Sequence, residues 1–258
     1  MRKMVNGLIV LILLIPAGLF AEVTRKSITR IDGTVEFFFY NKGKAVAKQI
    51  VDKDMTVVKT TDKIPDGIVR EYYKSGKLWS EFHYKNNKLE GIAVGYYEDG
   101  SLLYESNYKD GKPEGVNREY YESGKLSAET NFKNGKREGI SKEFNESGMM
   151  KREGHYANNK LEMVKDFYES GKLSGEANFK NDKLDGIVKT YYESGKLKAK
   201  VHYKEGKMEG TGTEYYENGT PKYIDAYTSG KIIKRKSYNS KGELQCGQDY
   251  SEEEGNKQ

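Results

Sequence analysis

The sequence predicts an all-β protein, an elongated single-layer antiparallel sheet of tandem β-hairpin repeats. Three observations predict it. A tyrosine–glycine string recurs at a nearly constant interval of 24 residues. Each interval holds two short runs rich in β-branched and aromatic residues, separated by glycine-bearing turns, which leaves no room for a helix. Finally, a hydrophobic content of 36% is too low for a deep interior, while 21 Tyr and 28 Gly are too many for a disordered polyelectrolyte.

The chain opens on different material. Arg2 and Lys3 precede an apolar run from Leu8 to Ile15, followed by Pro16 and small residues up to Ala21. That pattern reads as a secretory signal peptide over residues 1–21, with cleavage expected after Ala21. Leu19 is bulky for the −3 position, so an uncleaved N-terminal anchor is the alternative. The apolar run is shorter than the roughly 20 residues that span a bilayer, which favours cleavage. Export to the periplasm, the outer surface or the medium follows. No Cys follows the apolar run, which excludes lipoprotein attachment there.

Residues 22–66 read as a diverged N-terminal repeat and cap. Asp32 to Lys44 resembles a first strand and turn, and Ala45 to Pro65 adds further strands. Residues 67–233 hold seven tandem repeats of 23 or 24 residues. Their turn glycines are Gly76, Gly100, Gly124, Gly148, Gly171, Gly195 and Gly219, spaced 24, 24, 24, 23, 24 and 24. A second aromatic column interleaves: Tyr84, Tyr108, Phe132, Tyr156, Phe179, Tyr203 and Tyr227. Residues 234–250 form a partial repeat, and the charged residues 251–258 are expected to be disordered.

Within a repeat the second strand alternates. Leu197, Ala199, Val201 and Tyr203 are expected on one face, with Lys198, Lys200 and His202 on the other. The 23-residue step falls at the Gly between repeats, where a deletion need not turn later side chains over. That repeat is also eroded: Asn145 replaces a Tyr, Met149 and Met150 replace Lys-Leu, and Gly154 enters a strand. A bend or loosened pairing is therefore expected from about Phe144 to Val164.

The repeat from Gly186 to Gly210, with its "YYESGKL" and "VHYKEGKMEG" strings, resembles a MORN repeat. More specifically, it is similar to the bacterial variant named after the YwqK family of antitoxin-like proteins. The resemblance implies an elongated sheet of hairpins used for scaffolding, protein contact and membrane association. It marks fold better than function. MORN repeats also accompany some phosphoinositide kinases, but this chain has no Gly-rich phosphate loop leading into a helix and no spare length for a catalytic domain.

Charge and site residues narrow the function. The formal net charge is +5, with both signs mixed along the chain, so the one-signed stripe of a nucleic-acid binder is absent and no nucleic-acid partner is expected. Cys246 is the single cysteine and cannot form an internal disulfide or a Cys-based metal site. His83, His155 and His202 share a repeat position but stand in distant hairpins, so no metal is expected. Glu81, Glu105, Glu129, Glu153 and Glu176 read as partners of lysines on adjacent strands rather than catalytic carboxylates. The chain is read as no enzyme, with no cofactor.

The second tyrosine of each pair is the candidate binding face: Tyr73, Tyr97, Tyr121, Tyr168, Tyr192 and Tyr216. It is expected on the side of the Glu column, since tyrosine ladders make low-entropy contact surfaces. The function expected is an exported repeat scaffold for protein–protein interaction at the cell envelope or outside the cell. Two alternatives are binding to a glycan, cell-wall or lipid surface, and an antitoxin-like role toward a toxin. The single Trp79 argues against the glycan version. Exposed end strands would permit a homodimer.

Overall fold

A computed structural model describes residues 22–250. The expected leader with its cleavage after Ala21, and the expected disordered tail, lie outside the described residues. The architecture is all-β, and the strands are joined as antiparallel hairpins. First come β1 (Val23–Thr29), β2 (Val35–Asn41), β3 (Lys44–Val51) and β4 (Val57–Thr61). The repeats then run β5 (Gly67–Tyr72), β6 (Leu78–Lys85), β7 (Lys88–Leu89), β8 (Gly91–Tyr96), β9 (Leu102–Lys109), β10 (Lys112–Pro113), β11 (Gly115–Tyr120) and β12 (Leu126–Lys133). Next are β13 (Lys136–Phe144), β14 (Met150–Ala157), β15 (Lys160–Phe167), β16 (Leu173–Lys180), β17 (Lys183–Leu184), β18 (Gly186–Tyr191) and β19 (Leu197–Lys204). The chain ends on β20 (Lys207–Tyr215), β21 (Pro221–Thr228), β22 (Lys231–Tyr238) and β23 (Leu244–Asp249). Two compact units divide it: residues up to 126 with 132–135, and residues 127–131 with 136 onward.

The first unit has a packed core. β1 to β4 form an antiparallel meander, and β1 also pairs in parallel with β5 through Val23–Val69 and Thr24–Arg70. Phe37, Phe39, Ala47, Val51 and Ile64 of this cap pack on Val69, Phe82, Tyr84 and Ala93 of the repeats. The Phe39 ring meets Tyr84 edge-on, 5.3 Å between centroids. We call the covered side of the repeats the inner face and the opposite side the outer face. Full burial of one such apolar side chain stabilises by about 1.5–3 kcal/mol, so the cap gives a chain poor in aliphatics a core.

One ion pair is buried with them. Arg25 Nε donates to Glu71 at 2.7 Å, and Arg25 Nη1 donates to the Tyr84 hydroxyl at 3.0 Å. The guanidinium lies between the rings of Phe37 and Phe82, 4.1 and 3.9 Å from their centroids. Burial alone would lower its pKa, but Glu71 and Tyr84 outweigh that and raise it. Ser80 donates to the second Glu71 oxygen at 3.3 Å. Beside this cluster, Tyr104 is pushed up to about 12, first by burial.

Two turn types alternate along the repeats. In the first, Tyr73 N–H donates to Lys77 O and Gly76 N–H to Tyr73 O, at 2.8 and 3.0 Å. In the second, Asn158 and Asn159 both take positive φ, 49° and 70°, as a two-residue hairpin loop matched to strand twist requires. Carboxylates tie second turns to the previous repeat. Glu90 accepts from Asp110 N–H at 2.9 Å, Glu114 from Asn134 N–H at 2.7 Å, and Glu138 from Asn158 N–H at 2.9 Å. A hairpin that is marginal alone is thereby fixed to its neighbour.

The second unit corrects one expectation. The eroded repeat is not loosened: β13 pairs with β14 from Gly139–Tyr156 to Phe144–Met150, and β14 pairs with β15 from Arg152–Asp166 to Ala157–Lys160. Gly154 is filled by its neighbours, since an added Cβ would lie 2.9 Å from the Tyr156 ring. The shortened step leaves a one-residue register shift between His155 and Tyr156, and Lys165 still faces Glu153. Alternation in the second strand holds: Leu197, Ala199, Val201 and Tyr203 are half-buried, and Lys198, Lys200 and His202 are exposed. A bulge between Thr190 and Tyr191 sets Leu197 opposite Tyr191.

Candidate functional site

In each unit the outer face of the repeats is the candidate site, and it is built in rows. At the second-turn edge, lysines sit opposite one another, as Lys85–Lys88, Lys109–Lys112, Lys180–Lys183 and Lys204–Lys207. All eight are exposed. In the next row an apolar residue faces His or Asn: Ile68–His83, Ile92–Asn107, Ile140–His155, Met163–Asn178 and Ile187–His202. Ile68, Ile92, Ile140 and Ile187 are 40, 54, 38 and 47% exposed.

The third row is charged. Arg70 bonds Glu81 at 2.6 Å, Lys165 bonds Glu153 at 3.3 Å and Lys189 bonds Glu176 at 2.8 Å. The fourth row is the first tyrosine of each pair. Tyr120 donates to Glu105 at 3.1 Å and Tyr191 to Glu176 at 2.9 Å, each reaching the preceding repeat. Tyr72 has no full repeat before it. Glu22 supplies that carboxylate instead, accepting from the Tyr72 hydroxyl and from Arg70 Nη1. Exposed pairs of this kind contribute about 0–1 kcal/mol each, so the ladder orders the face more than it stabilises the fold.

Lys189, donating directly, holds the Glu176 carboxyl below its ordinary value, and His155, then Lys165, do the same for Glu153. A depressed carboxylate contributes stability above its unfolded pKa of about 4.3 and loses it as pH falls through the lower folded value. Melting curves should therefore show wild type and Glu176→Gln separated at neutral pH and converging in acid. A gap that widens in acid would contradict the ladder.

The second tyrosines link one hairpin to the next. The hydroxyls of Tyr73, Tyr97, Tyr192 and Tyr216 donate to the carbonyls of Tyr96, Tyr120, Tyr215 and Tyr238, at 2.7, 2.7, 2.6 and 3.0 Å. Tyr168 donates to Tyr191 O at 2.5 Å. Each is a staple from one hairpin to the next, and Tyr121 holds the same repeat position. It is the first tyrosine, not the second, that stands with the Glu column. Tyr192→Phe should cost about 0.5–1.5 kcal/mol in chemical denaturation, the net worth of one such bond. No change would remove its role as a staple.

The three histidines stand in separate hairpins of this face. Among the described residues no group of three His, Cys, Asp or Glu is placed to hold a metal ion. Sequence reasoning missed Arg25 and Glu71, which share no local pattern. It also missed the turn carboxylates, although an acid one residue before the inter-repeat Gly recurs as Glu90, Glu114, Glu138, Asp185 and Glu209.

Stacked hairpins with one packed and one open face define a class, a repeat-based binding scaffold. A family model described as a MORN repeat variant matches residues 65–86, 89–110, 113–134, 137–158, 164–181, 184–205 and 208–228. The chain belongs to that family of MORN repeat proteins. No curated protein matches it. Among solved structures it is similar to the Tc holotoxin pore of Photorhabdus luminescens, at 11% identity and a TM-score of 0.18, over 82% of this chain and 13% of that one. It is also similar to the crystal structure of TcdB2-TccC3-Cdc42, at 11% identity and a TM-score of 0.15, over 87% of this chain and 18% of that one. These likenesses are slight, and the chain spans well under two thirds of either.

Proposed function

We propose that this chain is an exported, non-enzymatic repeat scaffold whose outer face contacts a protein partner at the cell envelope or outside the cell. The observation that carries the reading is the exposed isoleucine at one repeat position, Ile68 and Ile92 in the first unit and Ile140 and Ile187 in the second, set between lysines and paired charges. Apolar residues recurring on one open face of a folded sheet favour a contact surface over a solvated one. The repetition favours recognition over catalysis, because no one position is privileged. Export rests on the leader-like N-terminus. Cleavage after Ala21 would leave Glu22 first, and Glu22 already completes the charge ladder on Arg70 and Tyr72.

Cell fractionation with N-terminal sequencing tests export. A mature chain starting at Glu22 outside the cytoplasm is expected, and a full-length cytoplasmic chain would overturn it. Cross-linking capture from the envelope fraction tests the face. The wild type should retain a partner that Ile68→Ser/Ile92→Ser/Ile140→Ser/Ile187→Ser loses, and equal capture by both would reject the outer face as the contact.

A further inference from the structure

The outer-face row also has a spacing that selects its occupant. In the second unit the row reads Ile140, His155, Met163, Asn178, Ile187 and His202 across β13, β14, β15, β16, β18 and β19. An apolar side chain therefore recurs on every second strand, about 9.6 Å apart at the usual strand separation. Met163 and Ile187 stand on either side of a shallow groove whose lining includes Glu176, Asn178 and Lys189. A partner lying along this row must present apolar side chains to one side at that interval.

Three extended or helical forms can be compared. A polyproline II segment has three residues per turn and a rise of about 3.1 Å, so every third residue returns to one side after about 9.3 Å. An α-helix with a heptad stripe returns after about 10.5 Å. A β-strand returns after about 6.8 Å. Over the two steps from Ile140 to Ile187 the polyproline II form is out of step by about 0.6 Å, the heptad helix by about 1.8 Å, and the strand misses altogether.

We infer that the outer face of the second unit binds a protein segment in the polyproline II conformation, with an apolar residue at every third position and acidic residues between. This rests on the outer-face reading above and names its partner. Charge complementarity supplies the acidic residues. Lys160, Lys180, Lys183, Lys204 and Lys207 are exposed along the turn edge beside the row, against Asp182 and Glu205 in the same turns. Hydrogen bonding fits as well. A polyproline II backbone makes no internal hydrogen bonds, and the exposed Asn178 and His202 stand between the apolar positions to meet it.

The test uses the full chain and three fluorescent peptides. The first repeats Pro-Glu-Leu six times. The second has the same composition with the leucine spacing scrambled. The third is an acidic alanine-rich helix with leucine every seventh residue. The in-phase peptide should bind at least tenfold tighter than the scrambled one, weaken with salt, and lose at least tenfold on Met163→Ser/Ile187→Ser. Circular dichroism of that variant should match wild type, because Ile187 is exposed. Equal binding of the scrambled peptide, tightest binding of the helical peptide, or no binding of the in-phase peptide at millimolar concentration would each overturn the assignment. The outer-face reading would fall separately, only if the serine variants captured the envelope partner as well as wild type.

Discussion

Arg25→Met should destabilise the first unit by about 3–5 kcal/mol, the usual cost of leaving one member of a buried pair without the other. The side chains of Arg25 and Glu71 are 7 and 5% exposed, and the guanidinium bonds Glu71 and Tyr84 and fills the gap between Phe37 and Phe82. In Arg25→Met/Glu71→Leu most of the loss should return, because a pair exchanged for apolar groups is often close to neutral. Denaturant titration read from first-unit tyrosine fluorescence gives both values. If the single variant lost less than about 1 kcal/mol, the cap would be held by apolar contact alone.

Gly95→Val carries the second large effect. Even its Cβ would sit 2.1 Å from Tyr104 Cε1, with Cδ1 and Cζ at 2.5 and 2.7 Å. Gly95 has no unusual φ, so the constraint is the ring and not the backbone. Tyr104 is half-buried and packs against the core. Overpacking of this kind costs about 1–3 kcal/mol. The same substitution with Tyr104→Ala should cost less than the sum of the single changes, a coupling that double-mutant cycles resolve. Gly124→Ala is the contrast. Nothing lies within 4 Å of its added Cβ, so only the strain of φ 78° remains.

Local order was readable from the sequence because it is periodic. The turn glycines, the aromatic column from Tyr84 to Tyr227, and the shared face of Ala199, Val201 and Tyr203 all follow from a repeat of 24 and an alternation of two. The bulge was not readable, because it inserts a residue without changing composition. The bonds of the second tyrosines between hairpins were not readable for a related reason. Adjacent aromatics must diverge, but their sequence does not say which of the two ends a strand and which reaches over a turn to the next hairpin. Arg25 and Glu71 are 46 residues apart. Their meeting depends on β1 lying parallel to β5, a pairing no hairpin pattern predicts. The loosening expected near Gly154 failed because a large neighbour, Tyr156, occupies the space the missing side chain leaves.

Hydroxyl-radical footprinting of the full chain, read residue by residue by mass spectrometry, bears most directly on the division of labour between the two faces. Ile68, Ile92, Ile140 and Ile187 should oxidise readily, while Phe39, Phe82 and Tyr84 in the first unit should be strongly protected. Protected isoleucines beside reactive Phe82 and Tyr84 would mean the faces are assigned the wrong way round.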